Sequence, residues 1–277
     1  MFSAKDCIAP LAKEVNNMNR NPLVWGSILI LLGALMLAGQ MGIELPNGNS
    51  PMSLFWPLIL IGLGAWVLFG VFVKRESISE PASIDLQGAT EAKVTINHGA
   101  GEFRMRSGAS ENELMHGTFV GGLDYKTEKQ GGQLQVKMRP ANDFVFPFFS
   151  GWEQLDWDFS LNPSIPITLD LNMGANKSVI DLKDLNVTAL KFKSGASDTT
   201  ITLPAKGRLT VDCEVGAASL VLIVPEGVAI RTHATIGAGD FSVDRTRFPS
   251  KESPDFASAS NAIDIRVTGG AASVKIQ

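Results

Sequence analysis

The chain has 277 residues, of which 45% are hydrophobic, and a formal net charge of −4. This mild negative charge argues against a broad basic surface of the kind that attracts nucleic acid. Cys7 and Cys213 are the only cysteines, and they lie too far apart to form a disulfide framework or a cysteine zinc site. The three histidines show no metal-ligand spacing, so we expect no metal, cofactor or nucleic-acid partner.

Two long uncharged stretches lie near the N-terminus, at residues 22–43 and 54–73. About 20 apolar residues at ~1.5 Å each cross the ~30 Å hydrocarbon core, and both stretches reach that length. Trp25, Phe55 and Trp56 lie near their ends, where aromatic rings meet lipid headgroups. The close succession of two such stretches predicts a two-helix transmembrane hairpin; a buried soluble helix or a cleaved signal peptide are the alternatives.

The basic residues around these stretches predict the orientation of the hairpin. Lys5, Lys13 and Arg20 precede the first stretch and Lys74 and Arg75 follow the second, whereas the connecting loop has neither lysine nor arginine. The positive-inside rule therefore predicts a multi-pass protein with both termini in the cytoplasm. The lipid bilayer is the first partner that the sequence predicts.

Gly-Ala pairs recur with a constant spacing of 21 residues in the second half of the chain. An outer copy precedes this series, and another follows it after 33 residues. The first residues of the six pairs are Gly99, Gly174, Gly195, Gly216, Gly237 and Gly270. We interpret these glycines as structural corners, because glycine adopts backbone angles that other residues resist.

Alternating apolar residues flank the corner glycines on both sides, which predicts two short strands per repeat. The residues three before the four central glycines are Leu171, Phe192, Cys213 and Ala234. A fixed period with such columns is typical of a β-solenoid, in which each coil lies directly above the preceding one; an ordinary β-sandwich is the alternative. Cys213 is then expected to be a buried core thiol, and His98, just before Gly99, to be structural.

These patterns predict a membrane-anchored all-β protein with four parts. Residues 1–21 form an N-terminal cytoplasmic segment and residues 22–73 the transmembrane hairpin. A linker at residues 74–90 precedes a single-stranded, β-helix-like solenoid with a 21-residue repeat at residues 91–277.

The segment between residues 111 and 161 lacks the clear repeat. Strands are expected at residues 114–120 and 133–138, linked by a polar turn, and Trp157, Phe159 and Leu161 alternate as if facing a core. The other aromatic residues of this segment either cap the open end of the solenoid or form a docking patch for a partner or the membrane surface. The patch residues are Phe144, Phe146, Phe148, Phe149 and Trp152.

The order of segments resembles one bacterial family. RNPLVWGSILILLGALMLAGQMGI followed by FWPLILIGLGAWVLFG resembles the LiaI-LiaF-like transmembrane region. DLNMGANKSVIDL, LKFKSGASDTTITLP and VDCEVGAASLVLIVP are similar to the LiaF C-terminal, or toastrack, β-domain. The resemblance covers most of residues 20–277.

This resemblance implies a bacterial inner-membrane accessory protein of the cell-envelope stress response. LiaF proteins restrain a sensor histidine kinase that responds to cell-wall-active antibiotics, and the family has no catalytic motif. Several regulators of this type carry more than the two spans predicted here. The expected partner is accordingly a membrane sensor kinase or another envelope-stress protein.

Three functions stay open at this point. The first is a non-catalytic regulator that contacts a signalling partner. The second is a structural scaffold that self-assembles as a homo-oligomer through strand edges of its β-domain. The third is an enzyme acting on an envelope lipid or glycan through the carboxylates of Glu153, Asp156 and Asp158; solvated strand residues are the simpler explanation of these three, so we expect no catalytic residue.

Overall fold

A computed structural model describes residues 79–141 and 155–277, which lie in the compact unit Lys74–Gln277. The described residues form β-strands and contain no helix. Within these two ranges there is accordingly no helix that could cross a membrane. The predicted spans at residues 22–43 and 54–73, and the segment 1–21, lie outside the described residues.

Twelve strands form one sheet in the described part of the chain. In chain order they are β1 (Ser79–Asp85), β2 (Glu91–Ser107), β3 (Glu113–Val120), β4 (Leu123–Gln130), β5 (Gln133–Pro140), β6 (Trp157–Leu161), β7 (Ile167–Asp181), β8 (Val187–Thr202), β9 (Arg208–Val215), β10 (Ser219–Ile223), β11 (Ala229–Val243) and β12 (Ala262–Ile276).

Parallel strands stack as coils, and each coil has one arm before the corner and one arm after it. β2, β7 and β8 contain both arms, whereas β9 and β10 supply one arm each to the next coil. β5 and β6 pair with the two halves of β2 in the same way and therefore form one more coil. The predicted all-β, solenoid-like fold is confirmed.

The core consists of the inward columns of both arms. In the first arm, Val94, Leu169, Leu190, Val211 and Ile265 follow one another in register, and each is at most 1% exposed. Each such side chain stabilises the fold by about 1.5–3 kcal/mol when fully buried. Period-2 alternation along every arm thus supplies the main stabilisation of the domain.

The order of the last coils differs from the order of the repeats in the sequence. β12 pairs with β9 and β10 on one side and with β11 on the other, so it lies between the coil of Gly216 and the coil of Gly237. The prediction that each coil lies above the preceding one is wrong at this point. The connection of residues 244–261 supplies the length that this rearrangement needs.

Side-chain composition explains the rearrangement. The inward residues of β12 are apolar in both arms and nearly all fully buried, as an interior coil requires. β11 has Thr232 and Ala234 at the corresponding positions, and Ala234 is exposed. Cys213 is therefore followed in its column by Val267, not by Ala234. The more apolar strand takes the position that is covered on both sides.

The prediction that the corner glycines are turns between separate strands is wrong for all of them except Gly216. β7, β8, β11 and β12 each run continuously through their Gly-Ala pair, and only Gly216 separates two strands. None of the six corner glycines has a positive φ angle. The left-handed backbone that only glycine tolerates well occurs instead two residues after the corner, at Gly101 (φ 130°) and Gly239 (φ 120°).

Close approach of neighbouring coils explains the corner glycines. A Cβ atom on Gly216 would lie 2.7 Å from the carbonyl oxygen of Gly195, and one on Gly270 would lie 3.2 Å from the carbonyl oxygen of Gly216. Gly237 meets the carbonyl oxygen of Gly270 at the same 3.2 Å. The corners therefore lie one above another, and every corner glycine except Gly99 lacks a side chain because the backbone of the neighbouring coil occupies that space.

Two further predictions about the early part of the domain are wrong. The predicted linker at residues 74–90 contains β1, which pairs with β3 and buries Ile84, so the β-domain begins before residue 91. The predicted polar turn after residue 120 contains β4, whose side chains are mostly exposed. β4 has no buried side chain, so its polar sequence resembles that of a loop.

We predict that Gly216→Ala lowers the free energy of unfolding by about 1–3 kcal/mol, because the added methyl group overlaps backbone atoms that have little room to move. Gly99→Ala is the matched control, since its Cβ would lie 3.6 Å from the flexible side chain of Leu155. Denaturant unfolding of the detergent-solubilised full chain, followed by far-UV circular dichroism, measures both variants. Equal stability of the two variants would contradict the close-approach explanation.

Candidate functional site

The predicted docking patch is inserted at the corner of the coil formed by β5 and β6. These two strands are the arms of that coil, and residues 141–156 replace the short Gly-Ala corner of the others. The patch residues, which are Phe144, Phe146, Phe148, Phe149 and Trp152, lie outside the described residues, as does Glu153. Ala141 and Leu155, which flank them, are described.

Both flanks of the patch segment contact the same pair of glycines. The backbone N–H of Ala141 donates to the carbonyl oxygen of Gly122 at 3.4 Å, and the Leu155 side chain packs against Gly121. Both glycines have positive φ angles, 85° at Gly121 and 78° at Gly122. The two described flanks of the insertion thus contact the β-domain at one place, the turn between β3 and β4.

Leu155 anchors the returning end to the corner of the next coil. Its backbone N–H donates to the carbonyl oxygen of Ala100 at 3.3 Å, and its side chain lies over Gly99. Its carbonyl oxygen accepts a hydrogen bond from Nε2 of His98 at 3.0 Å. The sequence analysis did not identify Leu155, although it extends the alternation of Trp157 and Phe159 by one step.

His98 is held in one tautomer by these contacts. A carbonyl oxygen only accepts, so Nε2 carries the proton, and Nδ1 faces the side-chain amide of Asn176 at 3.5 Å as an acceptor. The imidazole is 3% exposed and packs edge-on against Phe103 and Trp157. Burial lowers its pKa to about 4, so the ring is neutral at physiological pH.

An aromatic core surrounds this anchor point. Phe119 packs against Trp157 and Phe159 with ring centroids 5.2 and 5.7 Å apart, and Phe159 also packs against Phe103. The prediction that Trp157, Phe159 and Leu161 face the core is confirmed, because each is at most 1% exposed. The returning flank of the insertion is therefore held against a buried aromatic core.

The described candidate carboxylates serve structural contacts. Asp156 accepts a hydrogen bond from the backbone N–H of Glu102 at 3.0 Å, and Asp158 pairs with Arg106 on the neighbouring strand. Cys213 is 2% exposed, and burial together with the charge of Asp212 raises its pKa to about 12. No group of His, Cys, Asp and Glu suited to a metal ion exists within residues 79–141 and 155–277.

A broad, shallow groove runs beside the stacked corner glycines of the central coils. Asn172, Lys193, Glu214 and Thr268 line it, and Lys193 forms an ion pair with Glu214 at 2.6 Å. The charges in the groove thus neutralise each other across adjacent coils. Such pairing favours the register of the coils more than the binding of a charged ligand.

Comparison with known families assigns both parts of the chain. The model of the N-terminal domain of toast_rack, DUF2154, matches residues 73–223, more than half of the chain. The chain belongs to the toast-rack family. The model of the LiaI-LiaF-like transmembrane region matches residues 23–68 of this toast-rack protein.

Together the two matches confirm the resemblance to LiaF-like membrane proteins. The matched transmembrane region indicates that the toast-rack protein is located in a membrane. The family implies a membrane-associated role in envelope stress. No curated protein matches the sequence of the chain.

One solved structure shares the fold of the toast-rack domain. A candidate cell adhesion protein from Clostridium sporogenes has a TM-score of 0.65 at 19% identity, over 73% of this chain and 99% of that chain. A candidate adhesin and a candidate lipid-binding protein from Parabacteroides distasonis have TM-scores of 0.24 each. Their identities are 13% and 11%, over 73% and 74% of this chain and 99% of each of those chains. Scores this low support no argument.

We predict that the free energy of unfolding decreases as the pH is lowered, because His98 is harder to protonate in the folded chain than in the unfolded chain. Its folded pKa, about 4, lies below the unfolded value of 6.5, so between these values the unfolded chain binds a proton that the folded chain rejects. The loss begins near pH 6.5 and reaches about 3 kcal/mol near pH 4. Denaturant unfolding of the full chain at several pH values measures it.

His98→Gln should remove this contribution to the pH dependence, whereas His116→Gln should leave it unchanged. The His116 side chain is 45% exposed and lies 3.5 Å from the carboxylate of Glu113, so His116→Gln controls for the replacement of a histidine outside the core. A pH dependence that is the same in wild type and His98→Gln would show that His98 does not cause it.

Proposed function

We propose that this toast-rack protein is a membrane-anchored, non-catalytic regulator of the bacterial cell-envelope stress response, acting by direct contact with a signalling partner. The observation that carries this proposal is the succession, on one chain, of a LiaI-LiaF-like transmembrane region and a toast-rack domain. A membrane sensor kinase is the partner that this combination favours. Contact with a partner requires a binding surface but no catalytic residue.

The contacts of the polar residues support a non-catalytic role. Asp156 and Asp158 each engage a neighbouring strand, whereas a general acid or base needs a carboxyl group directed at a substrate. The buried Cys213 thiol, with its raised pKa, is a poor nucleophile. These contacts make an enzyme of envelope lipids or glycans the weakest of the three functions.

The patch at residues 144–152 is the partner-contact surface in this proposal. Five aromatic residues among nine form a large apolar set, and such sets on a surface mark contacts. The described flanks, Ala141 and Leu155, are both bonded to the β-domain, so the patch segment is attached to it at both ends.

We predict that deletion of the gene alters an envelope-stress reporter in the presence of a cell-wall-active antibiotic. Phe146→Ser/Phe148→Ser should reproduce the deletion, because it removes apolar contact area from the patch. Tyr125→Ser is the matched control, since Tyr125 is an aromatic residue on β4 that is 43% exposed. Reporter activity with and without the antibiotic, at equal protein levels, is the measurement.

An unchanged reporter after gene deletion would refute the regulatory role. Loss of the response in Tyr125→Ser to the same extent as in the patch variant would refute the assignment of the patch. Asp158→Asn separates the enzyme alternative: a regulator keeps its response, whereas an enzyme that depends on this carboxylate loses it.

We further propose that the toast-rack protein is a multi-pass protein of the inner membrane with both termini in the cytoplasm, as the basic residues flanking the spans favour. In sealed right-side-out vesicles, protease added outside should then leave the β-domain intact. In inverted vesicles the same protease should have access to it and cleave exposed segments. Cleavage in right-side-out vesicles only would reverse the orientation and change the possible partners.

A second candidate function is a scaffold that self-assembles at the membrane. The observation that favours it is the outer edge of the second arm of β11, at residues 234–243, with which no described residue pairs. Exposed strand edges readily pair with other strands. A self-assembling scaffold and a regulator are compatible, because they use different surfaces.

A further inference from the structure

The described sheet has three edge strands, β1, β4 and β11. Two of them carry residues that discourage pairing with another chain. β1 contains Glu80 and Pro81, and proline lacks the N–H that a ladder needs. The charged residues of β4 are Asp124, Lys126, Glu128 and Lys129.

The edge of β11 is covered over its first arm only. Backbone hydrogen bonds join Thr232 N–H to the carbonyl oxygen of Lys251 at 2.8 Å, and Ser253 N–H to that of Ile230 at 2.8 Å. From residue 234 to residue 243 no described residue pairs with the outer edge. Asp240 is the only charged residue there, and the segment has no proline, lysine or arginine. We call residues 234–243 the free edge.

Apolar side chains lie partly uncovered along the free edge. Ile236, Phe241 and Val243 pack against the core on one side, yet each is only partly buried because no further coil of described residues lies beyond β11. The carbonyl oxygen of Gly237 likewise has no corner glycine above it among the described residues. The end of the solenoid thus combines unpaired backbone with apolar side chains.

The free edge is complementary to itself in an antiparallel arrangement. If two copies pair about a twofold axis between Ala238 and Gly239, Ile236 of one copy lies opposite Phe241 of the other. Ala234 then lies opposite Val243, so inward residues meet inward residues at each of these positions. Inward residues can face each other because they have even numbers in the first arm and odd numbers in the second arm.

Charge and neighbouring structure favour the same register. Asp240 lies opposite Gly237, and at the margin Asp244 lies opposite His233, so no like charges face each other. Shifting the pairing by two residues toward the N-terminus would place Val243 opposite Thr232, whose edge Lys251 already occupies. The register that joins residues 234–243 of both copies uses the whole free edge.

We propose that the occupant of the free edge is a second copy of this chain, joined through antiparallel pairing of the two β11 strands. The resulting contact is isologous and closes after two copies, as in most homodimers. This inference rests on the proposed self-assembly and specifies its surface and register. It is independent of the partner-contact patch.

The test uses two variants that share one substitution. Thr235 and Ser242 are exposed, point outward and lie opposite each other across the twofold axis. Thr235→Glu/Ser242→Glu places glutamate opposite glutamate twice, whereas Thr235→Lys/Ser242→Glu places lysine opposite glutamate twice. Neither variant changes a buried residue of the monomer.

Co-purification of two differently tagged full-length copies, co-expressed in one membrane, measures the association. We expect Thr235→Glu/Ser242→Glu to reduce it by about tenfold or more, since like charges in an interface cost several kcal/mol. Thr235→Lys/Ser242→Glu should associate as well as wild type. Unchanged thermal unfolding midpoints verify that both variants fold.

Each other outcome overturns a defined part of the inference. Wild-type copies that do not co-purify refute the dimer and the proposed self-assembly together. Association that survives the glutamate pair refutes the free edge as the interface but leaves self-assembly through another surface. Equal loss in both variants refutes the antiparallel register.

Discussion

The close contact between successive backbones at the Gly-Ala corners is the constraint on which the domain depends. Every corner carbonyl oxygen except that of the outermost glycine, Gly237, lies close to the position where the next coil would carry a Cβ atom, as at Gly195 and Gly216. This contact allows the arms on both sides to stay in register over every coil. Register in turn places the inward columns one above another, and those columns are the core. A side chain at the corner would separate the coils and disturb both arms together.

The same constraint explains where the domain accepts variation. At the first coil the corner is replaced by a long insertion, and Leu155 takes the place over Gly99 that a corner glycine occupies elsewhere. His98 and the aromatic residues behind it hold this end of the insertion, together with the hydrogen bond from the backbone N–H of Glu102 to Asp156. A rigid scaffold with one expanded corner is a common arrangement for binding surfaces, because the loop varies while the support does not. The proposed contact with a signalling partner uses this feature.

The two ends of the solenoid have different edge strands, and this difference is the basis of the proposed dimer. At one end β4, β3 and β1 add antiparallel strands that carry charges or proline. At the other end the chain passes β11, turns through residues 244–261 and places β12 inside the stack. β11, the less apolar strand, is therefore outermost, and no described residue pairs with the outer edge of its second arm. Coil order therefore decides which edge is available to a second copy.

The sequence by itself determined the period, the inward columns and the position of every corner glycine, because alternation and spacing depend only on neighbours along the chain. It also carried the family resemblance in full. Only the tertiary structure decided that Val267 and not Ala234 follows Cys213, that β5 and β6 form a coil, and that β1 and β4 are strands. These features depend on which distant segments compete for one place in the stack, and β4 lacks the buried apolar residues that mark interior strands. The role of the corner glycines also became clear only from the structure. A close backbone contact and a positive φ angle both favour glycine in a sequence, and the structure shows that the close contact is the reason here.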